Sequence, residues 1–449
     1  MDKDLYNELR EEIDKIPLAD THEHFILEKE RLGMSLDMFY LIPHYACSDL
    51  VNSGMPPSVL EEVRGVSGNL SLEEKWNKFQ PYWDRAKNTA YLRVLQIIAR
   101  DIFGVEDINE KTYQTLSEKI ASSNRKGWYE HILKDKANIE CCIVEYLGGE
   151  FIYGPAIRPE TLYFYPDRRV DMAIPDLGLD MLKRVENFDG LVSIRSVEMI
   201  RAAERKYDIN IHTLDDLLKV LDLCFEAGVN EGIVGVKTAL AYNRIISYER
   251  TTRYEAERLF NSIFDGLGEG VSWKDAKPLQ DFLMHQVIQR AIEARLPIQI
   301  HTGLQEGNAN IITNTNPTHL IKLFMQYPQA KFDIFHTSYP YTGELTALAK
   351  NFPNVYPDLC WMYVISPYAA RRTLSEWIET LPSNKIFGFG GDYLVVEGAY
   401  AHAKMARDNV ARVLTEKIEE GYFSHAEAEQ FARRILRDNP LEVFNIGSA

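Results

Sequence analysis

The 449-residue chain has few cysteines, no excess of positive charge and no long apolar run. Its five cysteines are odd in number and scattered, which predicts a reducing compartment rather than a disulfide framework. The formal net charge of −16 argues against a nucleic-acid partner, which would need a basic face. No run of about 18 apolar residues occurs, and the charged N-terminal segment has no apolar core of the signal-peptide type. We therefore expect a cytoplasmic protein with neither a membrane span nor a membrane partner.

Short apolar runs alternate with helical patterns after residue 135, which predicts β/α units around a parallel sheet. Eight runs qualify as strands, the number found in a closed barrel of this type. The predicted strands are Leu18–Asp20, Ile139–Val144, Val170–Ile174, Ile233–Val236, Ile298–Ile300, Phe332–Phe335, Val355–Leu359 and Ile386–Phe389. Leu191–Ile194 competes with Val170–Ile174 for the third position. We therefore predict an α/β fold of the (β/α)8 TIM-barrel class.

Helical patterns fill the intervals between the predicted strands. The predicted helices run from the capping box Thr213–Asp216 to Gly228, over Leu279–Arg295, Pro317–Tyr327 and Thr373–Thr380, and over a tail at about Ser424–Phe444. Residues 27–135 break the alternation, and we interpret them as a mostly helical insertion after strand 1 that packs over the barrel mouth. Residues 1–449 are then expected to form a single (β/α)8 barrel domain.

His22 and His24 stand two residues apart at the end of the first predicted strand. Side chains at positions i and i+2 of a strand point to the same side, so the two imidazoles can hold one metal ion. A His-x-His motif also arises by chance. Its weight therefore depends on which residues end the other strands.

Four more residues of a metal-centre type stand at or just beyond the ends of later apolar runs, namely Lys237, His301, His336 and Asp392. Each alone has an ordinary structural explanation, as a satisfied histidine, a solvated lysine or a turn aspartate. In a parallel barrel, however, every strand ends at the same mouth, so these side chains should converge with the histidine pair. Imidazoles and a carboxylate suit zinc or manganese, whereas calcium would require more oxygen ligands.

This order of residues resembles the amidohydrolase superfamily of metal-dependent barrels. The segments Val236–Arg244, Ile298–Gly303 and His336–Tyr341 are similar to nodulin/FluG-type amidohydrolases. The helical insertion with Pro43-His-Tyr45 is similar to the uronate isomerases, which share the layout. Those isomerases end strand eight in Asp-x-Arg, whereas this chain reads Asp392-Tyr-Leu394.

The resemblance implies a divalent cation, zinc in the first place and manganese as the alternative, held by His22, His24 and Asp392. Asp392 would also pass a proton from water to the leaving group, and His336 is the second candidate catalytic residue. Two interpretations of Lys237 stay open. A carboxylated Lys237 would bridge two metals, with His301 and His336 completing the second site. Otherwise one metal is bound and Lys237 pairs with Asp392 or with a substrate carboxylate.

The candidate substrate-binding residues are Arg244, Tyr242, Tyr341 and Tyr45. Arg244 follows Lys237 by seven residues and could dock a carboxylate in bidentate fashion. The first functional hypothesis is therefore a hydrolase of a small carboxylate-bearing amide, lactone or related substrate. A uronate isomerase-like aldose–ketose isomerase, a non-oxidative decarboxylase and a non-catalytic metal-binding domain are the alternatives. Barrels of this size often associate, so a homo-oligomer is also expected.

Overall fold

Seven parallel strands form one sheet in the computed structural model, which describes residues 2–42, 44–65, 68–147, 177–265 and 270–447. The strands are β1 (Leu18–Glu23), β2 (Ile139–Val144), β3 (Leu182–Asn187), β4 (Gly235–Thr238), β5 (Ile298–Ile300), β6 (Phe332–Ile334) and β7 (Val355–Pro357). Each strand pairs with the next one along the chain, so the spatial order follows the sequence order. In the described part of the chain, helices lie between β1 and β2 and between successive strands from β3 to β7, which is the TIM-barrel-like α/β arrangement that the sequence predicts.

An extended segment at the predicted eighth strand, Ile386–Phe389, touches both edges of this sheet. On the β7 side, the Phe387 N–H donates to the carbonyl of Pro357 at 3.1 Å. On the β1 side, the Thr21 N–H donates to the carbonyl of Phe389 at 3.1 Å. The segment contains one isolated parallel bridge and no longer ladder among the described residues. These bonds link the first and last strands and bring their ends to one rim.

The third strand differs from the prediction. It is Leu182–Asn187, which pairs with β2 on one side and β4 on the other. Val170–Ile174 lies outside the described residues, and the competing run Leu191–Ile194 begins inside a short helix, Asp189–Val192. The segment β3 does not form an apolar run, because its sequence, Leu-Lys-Arg-Val-Glu-Asn, carries three charged residues in six positions. Burial by neighbouring elements, and not local composition, makes this segment a strand.

Helices occupy most of the remaining described chain. The α-helices are α1 (Lys3–Lys15), α2 (Glu28–Leu32), α3 (Tyr45–Asn52), α4 (Pro57–Arg64), α5 (Leu72–Ala86), α6 (Ala90–Asp101), α7 (Tyr113–Ser122), α8 (Trp128–Glu130), α9 (Asp189–Val192), α10 (Val197–Tyr207), α11 (Leu214–Asn230), α12 (Arg253–Phe264), α13 (Trp273–Glu293), α14 (Ile321–Gln326), α15 (Thr342–Asn351), α16 (Met362–Ile365), α17 (Pro367–Thr380), α18 (Val396–Glu419), α19 (His425–Arg433) and α20 (Asn439–Val443). None of the helices in the described ranges is both long and apolar enough to span a membrane.

Local sequence signals explain several helix boundaries and miss others. Thr213 caps α11 through the predicted capping box, but the helix continues through Gly228 to Asn230. The predicted helix Leu279–Arg295 begins earlier, at Trp273, because Ser272 caps it there. The chain between β1 and β2 is mostly helical, as expected. Its description as an insertion over the barrel mouth stays a prediction.

Candidate metal centre

All six predicted metal-centre residues lie at the carboxyl-terminal ends of strands or just beyond them, and each is 5% exposed or less. They are His22, His24, Lys237, His301, His336 and Asp392. His22 lies in β1 and His24 directly follows it, while Lys237 lies in β4. His301, His336 and Asp392 come just after β5, β6 and the extended segment that joins the sheet edges. The parallel arrangement therefore brings them to one rim, as the sequence argument requires.

His22, His24 and Asp392 form the first donor group. The Nε2 atoms of the two histidines are 3.2 Å apart, and His24 Nε2 lies 3.1 Å from Asp392 Oδ1. One donor atom from each of the three residues lies within 4.8 Å of the other two. Zinc–nitrogen bonds of about 2.0–2.1 Å place neighbouring ligand atoms about 2.9–3.4 Å apart. The spacing of this group therefore fits a small divalent cation.

His301 and His336 form a second convergent pair. His301 Nδ1 lies 3.2 Å from His336 Nε2, and His336 Nε2 lies 3.7 Å from Asp392 Oδ2. Asp392 thus stands between the pair from β5 and β6 and the pair from β1. The Phe335 ring packs between the groups, with its centroid 4.8 Å from that of His22.

Protein oxygens fix the orientation of all four imidazoles. One ring nitrogen of each faces an oxygen at 2.9–3.2 Å. The pairs are His22 Nδ1 with the side-chain oxygen of Gln299, and His24 Nδ1, His301 Nε2 and His336 Nδ1 with the backbone carbonyls of Glu145, Leu304 and Cys360. Because a carbonyl oxygen only accepts, each of these nitrogens donates its proton there. In a neutral ring the other nitrogen then presents a lone pair to the centre, where a cation satisfies it.

Burial keeps His22, His301 and His336 in the neutral form that binds metals. It lowers the pKa of His22 well below the ordinary value, with further lowering by Lys237 and His24. It also lowers the pKa of His301 well below 6.5 and that of His336 to about 4. Burial acts to raise the pKa of Asp392, but the hydrogen bond and charge of His24 outweigh it and hold that pKa well below its usual range. The centre therefore combines three neutral imidazoles, those of His22, His301 and His336, with an ionised carboxylate.

Lys237 contacts two groups of this centre. Its Nζ donates to the Nε2 lone pair of His22 at 3.2 Å and lies 4.0 Å from Glu145 Oε2. Glu145 Oε2 is also 3.7 Å from His22 Nε2, while its Oε1 accepts a hydrogen bond from Asn187 at 2.7 Å. Glu145 is 2% exposed and follows the last residue of β2. The metal centre thus includes an acidic group from β2 that the sequence analysis did not single out.

The missed residues differ in how visible they are in the sequence. Glu145 ends the apolar run of β2 in the same way that His301 ends β5, so the same criterion would have found it. Cys360 lies just beyond β7 and offers a donor atom within 4.8 Å of donors on His336 and Asp392. Gln299 has no such signal, because nothing local indicates that an inward side chain of β5 orients His22.

Positive backbone φ angles mark the same rim. His336, Trp361 and Asp392 have φ values of 61°, 63° and 57°, which non-glycine residues rarely adopt. Such conformations persist only where the surrounding structure imposes them, and they concentrate at functional sites. The Trp361 ring covers His336, with 4.9 Å between the ring centroids.

Two of the predicted substrate-binding tyrosines lie beside the centre. The Tyr45 hydroxyl donates to the backbone carbonyl of Asp392 at 2.6 Å, and the Tyr242 ring lies 4.7 Å from the ring of His301. The Tyr341 hydroxyl instead donates to the carbonyl of Ile312 at 3.4 Å, in the chain that follows β5. Tyr45 and Tyr242 therefore lie against residues of the candidate metal centre.

Arg244 is buried, and its guanidinium is hydrogen-bonded to groups of the protein itself. It is 1% exposed, and its guanidinium pairs with Asp281 and donates to Gln280 and to the carbonyls of Ile245 and Ser247. These contacts occupy the guanidinium within the fold. The sequence analysis expected Arg244 to dock a substrate carboxylate, but in the structure the guanidinium pairs with Asp281. The sequence alone could not show that Asp281 lies opposite Arg244. We therefore leave Arg244 out of the groups proposed to meet a substrate.

Comparisons with known proteins agree with this layout. A family model described as amidohydrolase matches residues 241–446, which carry His301, His336 and Asp392. Protein fluG of Emericella nidulans is 30% identical over 233 residues, and the match covers 50% of this chain and 27% of that protein. The chain therefore spans only about a quarter of fluG.

Uronate isomerases match over nearly the whole chain. The enzyme of Thermotoga neapolitana is 20% identical over 460 residues, covering 96% of this chain and 95% of the relative. The crystal structure of uronate isomerase from Thermotoga maritima superposes with a TM-score of 0.75 at 16% identity, covering 99% and 98% of the two chains. This structural likeness supports the TIM-barrel-like fold. Taken together, the matches confirm the predicted resemblance to the amidohydrolase superfamily, with similarity to uronate isomerases.

Proposed function

We propose that the chain is a metal-dependent hydrolase that cleaves a C–N or C–O bond in a small amide, lactone or related substrate. The observation that carries the proposal is the donor group His22–His24–Asp392, in which buried nitrogens and a carboxylate face one another at 3.1–3.2 Å. The match of the carboxyl-terminal half to an amidohydrolase family model supports the same chemistry. Zinc is the proposed cation, with manganese as the alternative.

A divalent cation at this centre would supply a Lewis acid that polarises the scissile carbonyl and makes water acidic enough to ionise near neutral pH. The protein groups would handle the protons. Asp392 is ionised and buried at the rim, so it can accept the proton of the attacking water. The same carboxyl group then returns that proton to the leaving group. His336, with Nε2 3.7 Å from Asp392 Oδ2, is proposed to orient this carboxylate.

Lys237 is proposed to act as an ammonium ion that pairs with Glu145. The two side chains stand 4.0 Å apart inside the protein, Lys237 on β4 and Glu145 just after β2, with β3 between these strands in the sheet. A carboxylated Lys237 would instead place a second anion beside the Glu145 carboxylate, which low-dielectric surroundings disfavour. Of the two states of Lys237 left open by the sequence, the contact with Glu145 supports the uncarboxylated one. The number of cations then depends on whether His301 and His336 hold a second ion without a bridging carbamate.

The substrate is proposed to bind between the metal centre and the two nearby tyrosines, Tyr45 and Tyr242. Their positions against Asp392 and His301 support this role. The carboxylate originally expected on the substrate rested on Arg244, whose partners lie within the fold. The proposed substrate therefore need not carry a carboxylate, although a carboxylate-bearing substrate is compatible with the proposal.

A uronate isomerase-like activity is the second candidate, because two observations favour it. Uronate isomerases match the chain over nearly its full length. His44 also lies at the rim, with its ring centroid 6.2 Å from that of His24 and its Nδ1 without a hydrogen-bond partner among the described residues. Against it, the position of the expected arginine is Leu394, which is 3% exposed and carries no charge.

A substrate panel with isotopic readouts separates the two. The zinc- or manganese-loaded protein is incubated with small amides and lactones in H₂¹⁸O, and with glucuronate and galacturonate in D₂O. Hydrolysis incorporates one ¹⁸O into the product, whereas an aldose–ketose proton transfer through a solvent-exchanging base introduces deuterium. The proposal expects ¹⁸O incorporation that is lost in Asp392→Asn and retained in Asp408→Asn, a change in a surface pair with Arg412. Conversion of the uronates alone would replace the proposal with the second candidate.

A further inference from the structure

Cys360 lies at the rim between two residues of the metal centre. It comes just beyond β7, the strand between β6, which leads to His336, and the extended segment that leads to Asp392. Its side chain is a free thiol with no exposed surface. Donor atoms of His336, Cys360 and Asp392 all lie within 4.8 Å of one another. The sulfur is therefore within a small side-chain movement of a shared ligand position.

A second observation at the same place indicates a cation-binding position. His301 Nδ1 and His336 Nε2 face each other at 3.2 Å. Each ring already donates its proton from the other nitrogen, to the carbonyls of Leu304 and Cys360. Two neutral rings thus oppose lone pairs inside the protein, with His301 only 4% exposed and His336 fully buried. A cation held by both nitrogens removes this repulsion.

The glycine opposite Cys360 makes room for the sulfur. A Cβ atom added to Gly390 would lie 2.7 Å from Cys360 Sγ and 2.4 Å from Thr21 Oγ1. Any larger residue there would displace the thiol from its position beside Asp392. The sequence Gly390-Gly391-Asp392 therefore does more than form a turn, since its first glycine accommodates the thiol.

We propose that Cys360 is a metal ligand, and that His301, His336, Cys360 and Asp392 form a sulfur-containing cation site that shares Asp392 with His22 and His24. The inference rests on the proposed metal-dependent function and concerns the same centre. When the cation binds, the sulfur–metal bond forms and the S–H proton leaves to solvent. A thiolate beside two imidazoles and a carboxylate selects thiophilic cations such as zinc, cobalt or cadmium over magnesium or manganese.

Cobalt titration of the full chain tests the assignment. Chelator-treated protein is titrated with Co²⁺, which gives ligand-field bands in the visible range and, with a thiolate ligand, an intense sulfur-to-cobalt band in the near ultraviolet. We expect the sulfur band to reach full intensity in wild-type protein and in Cys142→Ser, which removes a buried thiol of β2. Cys360→Ser should lose that band and lower the saturating cobalt ratio from two equivalents to one.

A measurement on the unaltered protein covers the case in which Cys360→Ser fails to fold. Zinc-edge X-ray absorption of the loaded wild-type chain should contain a sulfur scatterer at about 2.3 Å in addition to nitrogen and oxygen. Cobalt uptake with visible bands but no sulfur band, or a zinc shell without sulfur, would overturn the role of Cys360 and leave the proposed hydrolase centre in place. A protein that takes up no cobalt or zinc would overturn both proposals.

Discussion

Lys237 Nζ lies 3.2 Å from His22 Nε2 and 4.0 Å from Glu145 Oε2, so one amino group lies beside both a proposed metal ligand and a carboxylate. An ammonium that donates to His22 competes with a cation for the same lone pair. Glu145 offers Lys237 an alternative partner about one ångström beyond hydrogen-bond distance. Binding of the cation and pairing of Lys237 with Glu145 are therefore expected to occur together.

Glu145→Gln should weaken binding of divalent cations by about 10- to 100-fold, the range found for groups that support metal ligands. The amide keeps the shape of the side chain but removes the negative charge that draws Lys237 away from His22. Isothermal titration of chelator-treated protein with zinc measures the affinity. Glu140→Gln is the matched control, since Glu140 is on the same strand and pairs with Arg437 outside the centre. Equal affinities in the two variants, or a ¹³C carbamate signal on Lys237 after growth with labelled bicarbonate, would contradict this account.

Arg244→Ala should lower the free energy of unfolding by about 3 kcal/mol, because it leaves the Asp281 carboxylate buried without its main counter-ion. The estimate is at the low end for such pairs, since Lys277 still contacts Asp281. Urea denaturation measures the change. Arg253→Ala, which breaks an exposed pair with Asp215, should cost about 0–1 kcal/mol. Wild-type stability in Arg244→Ala together with a large loss of kcat/KM would restore the docking role predicted from the sequence.

Gly303→Ala should disrupt the positions of His301 and His336 together. Gly303 has a φ of 70°, and an added Cβ would lie 2.4 Å from the backbone carbon of Ser338, in the turn that carries His336. We expect a loss of about 2 kcal/mol or more in unfolding free energy and a measurable loss of zinc affinity. Gly343→Ala meets open space in the first turn of α15 and should be neutral or stabilising by up to about 1 kcal/mol. Similar effects of both substitutions would refute the steric argument.

His402 should make the stability of metal-free protein depend on pH. Burial lowers its pKa from 6.5 to about 4, and its Nδ1 donates to the Gly391 carbonyl at 2.9 Å. Between those pH values the unfolded chain binds a proton that the folded chain excludes, so stability falls as the solution is acidified. The contribution of His402 to the free energy of unfolding is at its full value above pH 6.5. It falls by about 1.4 kcal/mol per pH unit below that, so about 3 kcal/mol is lost by pH 4.

The matched comparison for His402 is His402→Gln, which keeps a donor for the Gly391 carbonyl but does not titrate. Unfolding free energies of both proteins are measured from pH 7 to pH 4. The advantage of wild type over the variant should shrink steadily across this range, by about 3 kcal/mol in total. Parallel curves for the two proteins would show that His402 does not supply this pH dependence.

The convergence of the six candidate metal-centre residues was predictable because they stand at or just beyond the ends of strands, and parallel strands end at one rim. His301 and His336 are of this kind, following Ile298–Ile300 and Phe332–Ile334. Glu145 obeys the same rule, but a single acidic residue after a strand is too common to indicate a metal centre by itself. The third strand escaped prediction because Leu182–Asn187 is charged enough to resemble a loop. Tertiary burial decides such segments.

Interactions between distant segments account for the rest. The pairing of Arg244 with Asp281 joins residues from a loop and a helix, and neither local sequence indicates the other. The carbonyls that orient His24 and His336 belong to the backbone, which has no sequence signature of its own. Sequence therefore predicts which side chains converge at this rim better than it predicts which groups hold them in place.

The most direct test of the account is metal uptake by chelator-treated full chain, measured by elemental analysis after dialysis against zinc and by the accompanying change in unfolding free energy. The account predicts at least one equivalent of zinc per chain and a stabilisation of about 2.7 kcal/mol at a zinc concentration 100 times Kd. The double variant His22→Asn, His24→Asn should lose the zinc ion held by the His22–His24–Asp392 group and the stabilisation that this ion provides. Wild-type protein that binds no zinc, or a double variant that binds it as tightly at the same ratio, would contradict the account.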